Sequence, residues 1–194
     1  DLLAAYKKSA GITIDDWGKR HWEKRGQYNQ NRRLFTLPNF EVVLDLNDDP
    51  KFRSEEEVGL LSVVSIDNLI YLSYTIQEGG DSRENVYLVV DEFSETLEKI
   101  RTIIRIRVAS FRHVAGTLVT DQSGILYLSV GEGGLSEYES QNMDSLLGKI
   151  LRIDVSEADP EPEVIAYGLR NPWKYSVDLE NRMFIGDCGE VKVE

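Results

Sequence analysis

Two side chains in this 194-residue chain have the types and spacing that proton transfer needs, His113 and Glu132. A carboxylate hydrogen-bonded to one nitrogen of an imidazole orients the ring and leaves the other nitrogen to act as a general base. His113 stands directly before the run Val114-Ala115-Gly116-Thr117-Leu118, and Glu132 follows in the loop Gly131-Glu132-Gly133-Gly134. If the residues between them form a hairpin, the two groups meet at one end of a sheet; a structural histidine is the plainer use of the same residue. Further along lies Arg170-Asn171-Pro172-Trp173. Its guanidinium offers a planar fork for a carboxylate, which serves an anionic ligand or an inter-sheet salt bridge equally well.

These residues sit in a repeat, and the repeat indicates what positions them. Asp67-Asn68-Leu69-Ile70-Tyr71-Leu72-Ser73, Ser123-Gly124-Ile125-Leu126-Tyr127-Leu128-Ser129 and Glu180-Asn181-Arg182-Met183-Phe184-Ile185-Gly186 each place a polar turn before an apolar run centred on an aromatic ring. From Tyr71 to Tyr127 and from Tyr127 to Phe184 the intervals are 56 and 57 residues. Each run ends in a glycine loop that carries or adjoins an acid: Glu78-Gly79-Gly80, Gly131-Glu132-Gly133-Gly134 and Gly186-Asp187-Cys188-Gly189. Glycine pairs can be mere turns, but three in one register would gather around a single mouth.

Short runs rich in β-branched and aromatic residues, headed by turn formers, are strands rather than helices. Asn85–Val90, Ile103–Val108, Lys149–Val155, Val164–Leu169 and Lys174–Val177 belong with them, as do Arg33–Leu37 and Glu41–Leu46 on either side of Pro38-Asn39. Several strands per repeat at this period predict an all-β protein of the β-propeller type. Residues 1–31 do not follow the repeat and form an N-terminal extension to a partial propeller over 32–194. Leu2–Ser9 is expected to be a short helix, and Trp17 and Trp22 are expected to anchor the extension elsewhere, a route to a protein partner. The acidic, proline-punctuated stretch Ser156–Glu163 is expected at the surface between blades.

Composition narrows the function. There are 22 basic and 34 acidic side chains, a net charge of −12, and 41% of the residues are hydrophobic. Binding of nucleic acid or an anionic membrane surface by counterion release needs the opposite balance. The one basic cluster, Lys19–Arg25, is expected to be a solvated face. A single cysteine, Cys188, excludes an internal disulfide and a cysteine-rich zinc module. No stretch approaches the roughly 20 apolar residues of a membrane span. The chain opens at Asp1, which is compatible with removal of a signal peptide.

Two longer runs carry a resemblance. Gln141-Asn142-Met143-Asp144-Ser145-Leu146-Leu147-Gly148-Lys149-Ile150-Leu151-Arg152-Ile153-Asp154-Val155 and Ile165-Ala166-Tyr167-Gly168-Leu169-Arg170-Asn171-Pro172-Trp173 closely resemble the glucose/sorbosone dehydrogenase family. Glu57-Val58-Gly59-Leu60-Leu61-Ser62 is similar to that family's Gly-Leu-Leu-Gly turn. The resemblance implies a six-bladed propeller, with three to four blades in this chain. It also implies oxidation of an aldose or related polyol by hydride transfer to pyrroloquinoline quinone, with calcium at the cofactor site and an external electron acceptor. By the same resemblance His113 is the base, Glu132 its orienting carboxylate, and Arg170, Asn171 and Glu57 contact the cofactor. Main-chain oxygens at Gly189 and Glu190 would bind the calcium, and the location would be periplasmic or extracellular. Glu132 is one methylene longer than the family's aspartate, so its contact with His113 is expected to require a backbone shift. The rival expectation is a propeller without catalysis, acting as an interaction or accessory subunit of a larger assembly.

Overall fold

The computed structural model describes residues 33–35, 42–79, 85–108, 110–121, 123–134 and 138–189. The expected helix at Leu2–Ser9, the anchors Trp17 and Trp22, the cluster Lys19–Arg25 and the calcium candidate Glu190 lie outside the described residues. The chain divides into two compact units, Asp1–Asp48 and Asp49–Glu194. In the first, β1 (Arg33–Phe35) pairs antiparallel with β2 (Val42–Asp45), and a 3-10 turn follows at Leu46–Asp48. Both strands fall where the runs flanking Pro38-Asn39 predict them.

The second unit is built of antiparallel sheets whose strands follow one another in chain order. β3 (Leu60–Ile66), β4 (Leu69–Gln77), β5 (Val86–Phe93) and β6 (Lys99–Arg107) form one four-stranded sheet. β7 (Ala115–Thr120), β8 (Leu126–Val130), β9 (Lys149–Ile153) and β10 (Glu163–Tyr167) form a second. β11 (Lys174–Val177) and β12 (Met183–Gly186) make a hairpin. A single turn of helix, α1 (Tyr138–Gln141), stands between β8 and β9. Each aligned segment of the repeat supplies the second strand of its sheet, β4, β8 and β12 in turn.

The first strands are the ones that meet. β7 lies against β3 on one side and β11 on the other. Leu61 of β3 packs on Gly116 so closely that a Cβ there would stand 2.3 Å from its Cδ1. The Ser73 hydroxyl donates to the Gly116 carbonyl at 2.6 Å, and the Thr117 hydroxyl donates to the Trp173 carbonyl at 2.6 Å. Successive sheets contacting through their first strands is the arrangement of propeller blades about a hub.

Burial explains why the strands hold. β4 is buried continuously from Tyr71 to Gln77, since both of its faces are covered. Val86, Leu88 and Val90 of β5 share one core with Leu126, Leu128 and Val130 of β8, Leu151 and Ile153 of β9, and Phe111 and Val114 of the connecting loop. Each such aliphatic side chain contributes about 1.5–3 kcal/mol by leaving water. β10, by contrast, alternates exposed and half-buried residues, as an outer strand should.

Two features depart from expectation. The run Glu57–Ser62, expected to resemble a turn, leads into a seven-residue strand, Leu60–Ile66. It closes onto β4 through Asp67-Asn68, both at positive φ (48° and 66°), the geometry of a two-residue hairpin turn. Ser156–Glu163 does not connect one blade to the next: it joins β9 to β10, which are neighbours in one sheet. Its start is tied to the other sheet by Arg101 of β6, whose guanidinium donates to the carbonyls of Val155, Glu157 and Ala158 at 2.6, 2.7 and 2.8 Å. Among the described residues no helix is long and apolar enough to cross a membrane.

Candidate functional site

Each sheet presents its chemistry just before its first strand. Glu57 precedes β3, His113 precedes β7, and Arg170 with Asn171 precede β11. These positions recur within a residue or so of the 57-residue period, so the fold places them side by side. Glu57 ties two of them to itself: one carboxylate oxygen accepts from the His113 backbone N–H at 2.7 Å and from the Asn171 side-chain amide at 3.3 Å.

His113 is held in an uncommon conformation. Its φ is 51°, and that of Ala115 is 57°. Left-handed backbone is unfavourable for residues with a Cβ and persists only where neighbours over-determine it. Here the neighbours do so: Glu57 binds the His113 N–H, the His113 carbonyl accepts from Gly133 N–H at 3.1 Å, and the Val114 carbonyl accepts from Gly131 N–H at 3.1 Å. The β7–β8 register also shifts between Ala115 and Leu118, a bulge of the kind that re-aims side chains beside sites. Gly131 allows the closeness, because a Cβ there would lie 1.8 Å from the His113 carbonyl oxygen.

This geometry brings the Glu132 carboxylate onto the Nδ1 of His113. The loop that carries Glu132 is itself fastened on two sides. Glu132 N–H donates to the Arg170 carbonyl at 2.8 Å, and the second carboxylate oxygen accepts from Gly134 N–H at 3.1 Å. Both side chains are shielded, His113 at 17% and Glu132 at 7% exposure. With Nδ1 hydrogen-bonded to a carboxylate, the neutral ring carries its proton there and Nε2 is left with its lone pair. No group among the described residues hydrogen-bonds to Nε2.

A cavity of about 330 Å³ opens onto these groups, lined by Glu57, His113, Arg170, Asn171, Trp173 and Cys188. Asn171 is 5% exposed, and its Oδ1 is buried without a hydrogen-bond partner. An orphaned buried acceptor costs about 1–3 kcal/mol, which a ligand's donor or a water would relieve. The turn that carries Asn171 is braced by hydrogen bonds. Asp187, beyond β12, accepts from the backbone N–H groups of Arg170 and Asn171 at 2.9 and 2.7 Å, and Arg170 Nη1 donates to the Cys188 carbonyl at 2.9 Å.

The expected residues thus separate into groups. His113, Glu132, Glu57, Arg170 and Asn171 converge on one place. Glu78, in the first glycine loop, does not join them: its carboxylate is taken by Lys51 at 2.9 Å and Arg105 at 2.5 Å, which hold it below the usual carboxylate pKa. Gly189 is half-buried just past the cavity-lining Cys188. Calcium takes six to eight oxygens, more than the Gly189 carbonyl supplies. Among the described residues no cluster of three or more His, Cys, Asp or Glu side chains is present to add to it. Sequence reasoning missed Trp173 and Cys188 as cavity walls and Asp187 as the brace of the Arg170 turn. Their signal was positional, since each lies next to a residue already singled out.

A family model described as Glucose / Sorbosone dehydrogenase matches residues 31–193. The chain belongs to the glucose/sorbosone dehydrogenase family. Among solved structures, one described as a crystal structure of glucose dehydrogenase superposes with a TM-score of 0.65 at 23% identity, covering 82% of this chain and 52% of that one. At that identity the likeness shows the fold, an all-β propeller type. Relatives of this glucose/sorbosone dehydrogenase chain include HIPL1 protein of Arabidopsis thaliana, 32% identical over 41% of this chain, and Hedgehog-interacting protein of Homo sapiens, 26% identical over 63%. The chain spans only 16% and 23% of the lengths of those two proteins.

Proposed function

We propose that this chain carries the base-bearing part of a sugar dehydrogenase site, which oxidises an aldose or related polyol with pyrroloquinoline quinone as acceptor. The observation that carries the reading is the imidazole whose Nδ1 is held by a buried carboxylate, in a cavity it shares with a guanidinium and an orphaned amide oxygen. The residues fit one edge of an anionic quinone. Arg170 offers a cation and a planar donor fork, and Asn171 offers an unsatisfied acceptor. When bound, the quinone would supply a two-electron acceptor for hydride from the alcohol carbon. His113 Nε2 would take the hydroxyl proton, and Glu132 would stabilise the imidazolium that results. Glu57 would keep the His113 backbone in place and offer an acceptor to a sugar hydroxyl. The electron acceptor, the calcium and the periplasmic or extracellular location follow from the family rather than from this geometry.

Reconstitution tests this. Quinone and calcium are added, and dye reduction is followed with a panel of aldoses, with His113→Ala as control. Dye reduction that depends on His113 supports the reading; none, or activity indifferent to His113, ends it. A second readout does not need turnover. Cys188 is the only thiol and is exposed on the cavity, so its alkylation by iodoacetamide is expected to slow when the quinone binds.

One observation favours a second reading, an interaction module without catalysis: a relative bears the name Hedgehog-interacting protein. On that reading the partner would dock through the N-terminal extension, residues 1–31. Unchanged Cys188 alkylation in saturating quinone would move the balance to it.

A further inference from the structure

Lys149 is fully buried, a rare place for an ammonium group. Among the described residues its Nζ donates to three main-chain carbonyls and to no carboxylate: Glu139 at 3.1 Å, Ser140 at 2.9 Å and Leu147 at 2.7 Å. All three of its donors are therefore used. Burial holds its pKa below that of an ordinary lysine, yet the three aligned carbonyl dipoles favour the charged form. The group acts as an internal cation around which residues 139–147 close.

That closed segment touches both halves of the candidate site. On one side Gly148 N–H donates to the Gly131 carbonyl at 3.1 Å, next to Glu132. On the other, Gly168 N–H donates to the Ser140 carbonyl at 2.8 Å and Leu169 N–H to the Gly148 carbonyl at 3.1 Å, next to Arg170. The Ser140 carbonyl thus accepts from Lys149 and from the Arg170 turn together. Gly148 admits no side chain, since a Cβ would meet the Leu169 carbonyl oxygen and the Ser140 Cβ at 2.5 Å. The loop bearing Glu132 and the turn bearing Arg170 are finally joined by Glu132 N–H to the Arg170 carbonyl, at 2.8 Å.

We propose that Lys149 is a positioning residue: its ammonium sets the Glu132 loop against the Arg170 turn, and through Glu132 it fixes which nitrogen of His113 carries the proton. The proposal deepens the reading of His113 as a base. Its test needs neither sugar nor quinone, so it can fail while that reading stands, and the reverse.

The experiment is nitrogen-15 NMR of the histidine rings in the full chain at a pH where His113 is neutral. Wild type is expected to show the Nδ1–H tautomer at His113, and Glu132→Gln to lose most of that preference. Lys149→Met is expected to follow Glu132→Gln, with at least a threefold fall in the ratio of Nδ1–H to Nε2–H. Arg101→Lys, which disturbs a comparable set of carbonyl contacts away from the site, is expected to leave the ratio unchanged. A folded Lys149→Met with the wild-type ratio overturns the proposal, and so does an Arg101→Lys that changes it equally. If Lys149→Met does not fold, Lys149→Gln is read by the same criterion. Failure of both to fold counts against the proposal, because Lys149 would then determine the fold rather than the ring.

Discussion

At His113 the main chain does as much as the side chain. The left-handed φ, the Glu57 hydrogen bond and the close passage of Gly131 set where the imidazole stands before Glu132 reaches it. Glu132→Asp is therefore expected to behave as a loss. The shorter side chain cannot reach Nδ1 from a backbone tied to Arg170, and quinone-dependent dye reduction should fall at least tenfold while the thermal midpoint moves by no more than a few degrees. The acid and the histidine were legible in the sequence because their types and interval fit a hairpin. The part played by Glu57 was not. Its partners are a backbone N–H and an amide 56 and 114 residues away, and nothing about a glutamate near a Gly-Leu-Leu turn announces them.

Turns set how the elements meet, and aspartates organise two of them. Asp121 receives the Ser123 N–H, the Ile125 N–H and the Tyr127 hydroxyl at 2.9, 3.1 and 3.0 Å, and Asp178 serves the β11–β12 turn in the same way. Partial burial of Asp121 works to raise its pKa, but the bonds from Ser123, Ile125 and Tyr127 outweigh it and leave the carboxyl lower than usual. A carboxyl with a depressed folded pKa adds stability that is complete above its unfolded value, near 4, and is lost as pH falls through the folded value. Asp121→Ala is expected to lower unfolding free energy in urea by about 1–2 kcal/mol at pH 7, with the difference from wild type shrinking toward pH 2. The strands around these turns were readable from β-branched and aromatic runs. β3 was overlooked because Gly59 and the leucine pair looked like a turn, and Ser156–Glu163 was misplaced because proline and acid mark a loop without saying which strands it joins.

At the level of the molecule the repeat was the clearest signal. Spacing alone indicated the recurring sheets, because a near-constant interval between like segments is what a repeated module leaves in a chain. What fastens blade to blade was hidden. Arg101 binds the nearly buried Glu92 at 3.0 Å and three carbonyls of the connection between β9 and β10 of the neighbouring sheet, and carbonyls leave no trace in residue identity. Arg101→Met should strand that carboxylate and cost about 3 kcal/mol, seen as a lower thermal midpoint, whereas the pair Arg101→Met with Glu92→Gln should recover part of the loss. The equivalence of the stretches preceding β3, β7 and β11 has a consequence for ancestry and for engineering alike. A fold that repeats one module inherits a row of equivalent sockets, and here Glu57 wires three of them together, so a new reactive group placed in one is felt by the occupants of the others. Giving the socket held by Glu57 a second imidazole would therefore also require a new acceptor for the His113 backbone N–H.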